Sequence, residues 1–234
     1  MGAVMARPHS RQRASGGLLA VPVAAIVVLC VAALAYVTYV LRPRIEFASA
    51  AFDAPALPIV VADSLFRVPP RAIRIALQRR AGSQERLDLV FFWPALTPAA
   101  NPSDEDLAAA VGRIFVTIEP RDDATLAPIE RFKSIYPRYT AANAVSGPEG
   151  LRTVAFLDET PYEGEDLLFD PTAPERFLVR CTRDKGASTG NCLYERALGK
   201  AVILLRFPRA LLVQWRDLAS GADRLLARLQ AKAP

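Results

Sequence analysis

Histidine is almost missing from this chain: there is one among 234 residues, His9, in the N-terminal tail. Beyond it no Ser-His-Asp or Cys-His couple can be assembled, and no imidazole is left to ligate a metal ion. The P-loop and dinucleotide-binding glycine patterns are absent too. Lysine supplies only four of the 29 basic residues, and cysteine is limited to three. A strong excess of one charge is also lacking. Formal net charge is +5, but Arg7, Arg11 and Arg13 precede the first long apolar run, where no acidic residue stands. The remainder holds 29 − 3 = 26 basic against 24 acidic groups, a net of +2. Nucleic-acid binders show a much larger basic surplus, so nucleic acid is not expected as a partner.

What is present begins with a run from Leu18 to Leu41 that carries no charge. Read as a helix at about 1.5 Å per residue, its 41 − 17 = 24 residues make roughly 36 Å, against a hydrocarbon core of about 30 Å. The expectation is a retained membrane-spanning helix. The run exceeds the hydrophobic stretch of a signal peptide, and the Ala-x-Ala site Ala48-Ser49-Ala50 lies beyond Arg42, Arg44 and Glu46. Three arginines before the run against two just after it place the N-terminus inside. The division that follows is a cytoplasmic tail (1–17), a transmembrane helix (18–41), a Pro/Ala-rich linker (42–64) and an outer domain (65–234).

Within that domain, FRVPPRAIRIALQRRAG (66–82) reads as a helix. Its paired prolines suit a helix start, and Ala72, Ile73, Ala76 and Leu77 recur at helical spacing. Arg67, Arg71, Arg74, Arg79 and Arg80 then dominate the exposed side, either as a seat for anionic headgroups or an acidic partner, or as a solvated face. RLDLVFFWP (86–94) is apolar on both faces, which suits a strand inside a sheet rather than at its rim. Ser103 and Asp106 suggest a capping box for a short helix ending near Gly112. Strands are expected at 113–118, 151–157 and 201–208. RFKSIYPRYT interleaves Arg131, Lys133 and Arg138 with Tyr136 and Tyr139, a mixture that can bind polyanions or sugars, or pack its rings onto a core. Six carboxylates between Asp158 and Asp170 could gather a hard cation or serve glycoside hydrolysis, but their spacing fits no EF-hand loop. A solvated acidic loop facing the arginines is the third reading.

FLVRC and CLYERAL flank a polar turn with two glycines, the signature of a hairpin with Cys181 and Cys192 at its inner ends. Outside the cytoplasm such a pair oxidises, so a Cys181–Cys192 disulfide is expected as a structural staple. The chain ends in a stripe of Leu211, Trp215, Leu218, Ala222, Leu225 and Leu229, which suits a helix docked on a sheet. FRVPPRAI and LRFPRALL share a strand, proline, Arg-Ala order. The expected class is α+β: one N-terminal transmembrane helix, then a single mixed or antiparallel sheet domain with a C-terminal helix packed on it.

VPPRAIR, WPAL, PYEGEDL, the cysteine pair and RFPRALLVQW together resemble uncharacterised single-pass envelope proteins of alphaproteobacteria. The resemblance implies an inner-membrane protein with its domain in the periplasm, and no activity. The expected function is a membrane-anchored binding or assembly module without catalytic role, cofactor or metal. Its partners are then the lipid bilayer and another envelope protein, met through Arg67–Arg80 or 131–139. Two further classes stay open: a regulator acting through the basic tail, and a carboxylate-dependent periplasmic hydrolase.

Overall fold

A computed structural model describes residues 17–41, 51, 53–98, 112–122, 124–185 and 190–230. The chain divides into two units, Met1–Phe47 and Ala48–Pro234. The first holds helix α1 (Gly17–Leu41), with Pro22 inside it. Its side chains are described over 21–37, and all of them are exposed. Among the described residues no helix is long and apolar enough to cross a membrane, which overturns the transmembrane helix. The tail, with its arginines and His9, and the 103–106 capping box lie outside the described residues.

The second unit corrects the fold class as well, because it is mostly β rather than α+β. An eight-stranded sheet runs in the order β4-β5-β11-β10-β9-β8-β7-β6, every neighbouring pair antiparallel. Its strands are β4 (Leu87–Phe92), β5 (Arg113–Pro120), β6 (Val145–Ser146), β7 (Arg152–Ala155), β8 (Glu165–Phe169), β9 (Leu178–Thr182), β10 (Asn191–Leu198) and β11 (Ala201–Pro208). A smaller sheet, in the order β2-β1-β3, comprises β1 (Leu57–Val61), β2 (Ser64–Val68) and β3 (Gly82–Ser83). Among the described residues two helices complete the domain, α2 (Pro128–Ser134) and α3 (Trp215–Gln230).

Alternation along the strands separates the two faces of the large sheet. Ile114, Val116 and Ile118 of β5 point into the main core with Ile203 and Leu205 of β11. Ile59, Val61, Phe66 and Val68 of the small sheet close that core, as do Leu218, Ala222, Leu225 and Leu229 of α3. At the junction Trp215 stacks near Phe177, with centroids 5.0 Å apart, and its Nε1 donates to the Glu149 carbonyl at 3.1 Å. The opposite face is covered on its β8–β9 side by a second cluster of Tyr136, Phe156, Leu167 and Leu178, against which Phe132 and Ile135 pack.

The segment expected as a helix over 66–82 is not one. Phe66 and Arg67 belong to β2, and two single 3-10 turns follow, Pro70–Ala72 and Ala76–Gln78. Tertiary pairing overrides the local preference: Ile73 bridges Leu89, and the Arg74 N–H donates to the Asp88 carbonyl at 3.0 Å. That pairing also explains β4, which stands at the rim of the sheet and not inside it. Leu87 to Phe91 are buried on both faces because this loop lines the strand's outer edge. The shared order of FRVPPRAI and LRFPRALL has a counterpart in the backbone. Pro69 (φ −60°, ψ 130°) and Pro208 (φ −59°, ψ 136°) each lead a strand into a 3-10 turn.

Candidate binding surface

Among the described residues the second face of the sheet is closed on one side and open on the other. Over β5, β11 and β10 its residues are Phe115, Val202, Leu204 and Leu193, all half-buried, with Ala197 exposed. Register aligns them in cross-strand rows: Asp88, Thr117, Leu204, Glu195 in one, and Val90, Phe115, Arg206, Leu193 in the next. Leu193, Val202 and Leu204 floor a cavity of about 270 Å³ that Leu126, Glu119 and Arg131 help to wall. Antiparallel sheets put polar residues on a solvated face, so three aliphatic side chains here mark an unfinished one.

Both rims come from segments that the sequence singled out. On one side Arg74 lies over the Phe115 ring, its guanidinium carbon 5.6 Å from the centroid. On the other, Arg131 of α2 pairs with Glu195 of β10, both side chains largely buried. Burial works against the charge on Arg131, but the Glu195 hydrogen bond and neighbouring charges hold its pKa above the ordinary arginine value. Buried ion pairs of this kind fix geometry more surely than they add stability.

The other candidate residues are spread more widely. Arg67 is half-buried on β2 and its Nε has no hydrogen-bond partner. Arg71 pairs with Asp53, and the Arg79 Nε donates to the Ile73 carbonyl at 3.1 Å. Arg80 helps to line a broad, open groove of about 700 Å³ with Leu77, Gln78, Gln84 and Arg86. The structure thus brings Arg74 and Arg131 to one face and leaves Arg67, Arg71, Arg79 and Arg80 elsewhere. In 131–139 the rings turn inward. Tyr136 is 3% exposed and meets Phe156 and Tyr162 edge-on, and burial pushes its phenol pKa up. Tyr139 is half-buried against Tyr162, whereas Lys133 and Arg138 are exposed.

Two of the six carboxylates in the acidic stretch are held by arginines. Arg180 donates to Glu165 at 3.1 Å, while Arg183 and Arg209 reach Asp166 at 2.9 and 2.6 Å. Asp170 accepts from Thr172, an intrasegment turn. Among the described residues no group of three or more His, Cys, Asp or Glu could hold a metal ion. Residues 186–190 spell Gly-Ala-Ser-Thr-Gly, the letters of a nucleophile elbow. Of these, 186–189 lie outside the described residues. The Cys181–Cys192 disulfide is present, joining directly opposed residues of β9 and β10.

Sequence reasoning missed Phe115, Leu193, Val202, Leu204, Arg113 and Arg206. Their alternation is visible in RIFVTIEP, CLYERAL and AVILLRFP, but nothing local shows which face α2 leaves bare.

No protein-family model and no curated protein matches the chain. Its fold is similar to that of an immunity protein of the Stenotrophomonas maltophilia type IV secretion system. The two are 17% identical over 77% of this chain and 94% of that one, with a TM-score of 0.52. A looser likeness, which carries no argument, is to the iron-regulated outer membrane lipoprotein FrpD of Neisseria meningitidis: 8% identity, 77% and 96% coverage, TM-score 0.43. At these identities what is shared is the fold: a sheet domain of a kind also found in a secretion-system immunity protein.

Proposed function

We propose that this chain is an extracytoplasmic binding module of a bacterial envelope, one that seats a protein partner on the open half of its large sheet and performs no chemistry itself. The observation that carries the reading is the aliphatic floor of Leu193, Val202 and Leu204, left bare between the Arg74 loop and α2. Two facts support the setting. A disulfide persists in oxidising compartments, and the fold is shared with an immunity protein of a secretion system. An apolar floor with a charged rim is the ordinary anatomy of a protein interface.

A photo-crosslinking amino acid placed at Ala197, exposed on the floor, is expected to give a discrete protein adduct in cells that make the chain. The same group at Asp217, exposed on α3, should give none. Absence of any adduct from Ala197, or equal adducts from both positions, would refute the assignment of this face.

A further inference from the structure

Three arginines are placed about Phe115, one over its ring and two by strand register. Arg74 lies over its ring. Arg206 is its register partner on β11, so their Cβ atoms stand about 5 Å apart. Arg113 is two residues back on β5, on the same face, about 7 Å away. Among the described residues none of these three guanidiniums has a carboxylate partner. The neighbouring carboxylate, Asp88, is taken: it accepts from Arg86, Gln78 and Thr117. Arg113 Nε is shut off from solvent and has no hydrogen-bond partner. Three like charges gathered on one face without a counter-charge repel one another, and a planar guanidinium is shaped to take an oxyanion in a bidentate pair.

We infer that Arg74, Arg113 and Arg206 form an anion-recognition cluster for an acidic segment of the protein partner, one that interleaves Asp or Glu with apolar residues. This rests on the binding role proposed above and adds the chemistry of what is bound. Carboxylates would enter the cluster while an apolar neighbour settles on Leu193, which follows Arg206 in the same cross-strand row, or on Leu204 in the next. A membrane surface suits the site less well, because the floor is recessed between the Arg74 loop and α2, and a planar bilayer cannot reach it.

The test uses the full chain and a fluorescein-labelled peptide of alternating Glu and Leu, read by fluorescence polarisation. Binding is expected to weaken about tenfold in Arg206→Gln and again in the Arg74→Gln/Arg206→Gln double variant, and steeply with added salt. A Gln-Leu peptide should bind at least tenfold more weakly. Both substitutions are at exposed positions, and matching melting curves confirm that the variants fold. No peptide binding at millimolar concentration, equal binding by the double variant, or equal binding of the Gln-Leu peptide overturns the cluster. So does co-sedimentation with phosphatidylglycerol vesicles that the double variant abolishes while peptide binding is unchanged. The Ala197 crosslink separates the two proposals: an adduct that survives in the double variant rejects the arginine cluster and leaves the binding face standing.

Discussion

Reducing the Cys181–Cys192 bridge should destabilise the domain by an amount that follows from its loop. The two cysteines are 11 positions apart, closing a loop of 11 + 1 = 12 residues. Chain-entropy arithmetic for that loop gives about 3 kcal/mol at room temperature. Against a typical total of about 5–15 kcal/mol, this is a large share for one bond. The folded hairpin should nonetheless survive reduction. β10 remains paired with β11 over eight residues, and Arg183 and Arg209 still grip Asp166 beside the bridge. The whole effect should therefore appear as a shift of the unfolding midpoint. With a urea slope of about 2 kcal/mol/M the midpoint should fall by about 1.5 M. Trp215, 4% exposed, reports it by fluorescence. Thiol titration in denaturant should count one free group without reductant, Cys30, and three after reduction. Cys181→Ala/Cys192→Ala should fall at least as far, since both sulfurs are buried. Three thiols before reduction, or an unmoved midpoint after it, would refute the reasoning and remove the main support for an oxidising compartment.

Two further perturbations test the sheet that carries the binding face. Asp88 is buried, which raises its pKa, but hydrogen bonds from Arg86, Gln78 and Thr117 outweigh that and hold it below its ordinary 3.8. A depressed folded pKa means that its contribution is complete above pH ~4 and disappears as pH falls through the folded value. Asp88→Asn should therefore lower stability by about 1–3 kcal/mol at neutral pH. The gap to the parent should narrow as pH falls through the folded value, below the ordinary 3.8; urea midpoints whose difference stays constant from neutral to acid pH would refute it. Gly190→Ala should cost about 1–3 kcal/mol, because its new Cβ would fall 2.0 Å from the Thr182 carbonyl oxygen, a backbone atom that cannot step aside. An unchanged melting temperature would refute that close approach.

Strands were legible where pattern and composition agreed. β4, β5, β9, β10 and β11 all appear as β-branched or aromatic runs with sharp ends, and the hairpin cysteines mark which two are neighbours. The stripe of α3 was legible for the same reason, since its spacing matches the buried set of Leu218, Ala222, Leu225 and Leu229. Failure came where long-range pairing decided the outcome. Residues 66–82 have the composition of a helix, yet Ile73 is claimed by Leu89 and Gly82 by Ile59, so the chain makes single turns between bridges. β4 looked interior because both its faces are apolar, and only the loop along its edge explains that pattern. The apolar run at 18–41 showed hydrophobicity without showing what it meets, and among the described residues no helix is long and apolar enough to cross a membrane.

The candidate site was half legible, and the division is instructive. Counting arginines found the Arg74 loop and Arg131 but not why these two matter, because charge on a sequence carries no information about its counter-charge. Glu165 and Asp166 absorb Arg180, Arg183 and Arg209 within the sheet, and Glu195 absorbs Arg131. Arg74, Arg113 and Arg206 have no carboxylate partner among the described residues and are placed about Phe115 on one face of the sheet. The same subtraction applies to the floor. α2 is only seven residues long, about 10 Å of helix, and its one aromatic ring, Phe132, packs on Phe169 of β8, so that among the described residues it leaves much of β5, β11 and β10 uncovered. Leu193, Val202 and Leu204 are half-buried rather than fully exposed, a modest patch of the size that a soluble domain tolerates. A partner therefore gains limited apolar area from this face. On the proposed reading, the guanidiniums without a carboxylate partner among the described residues supply much of its specificity, so charge, more than hydrophobicity, should decide what this domain binds.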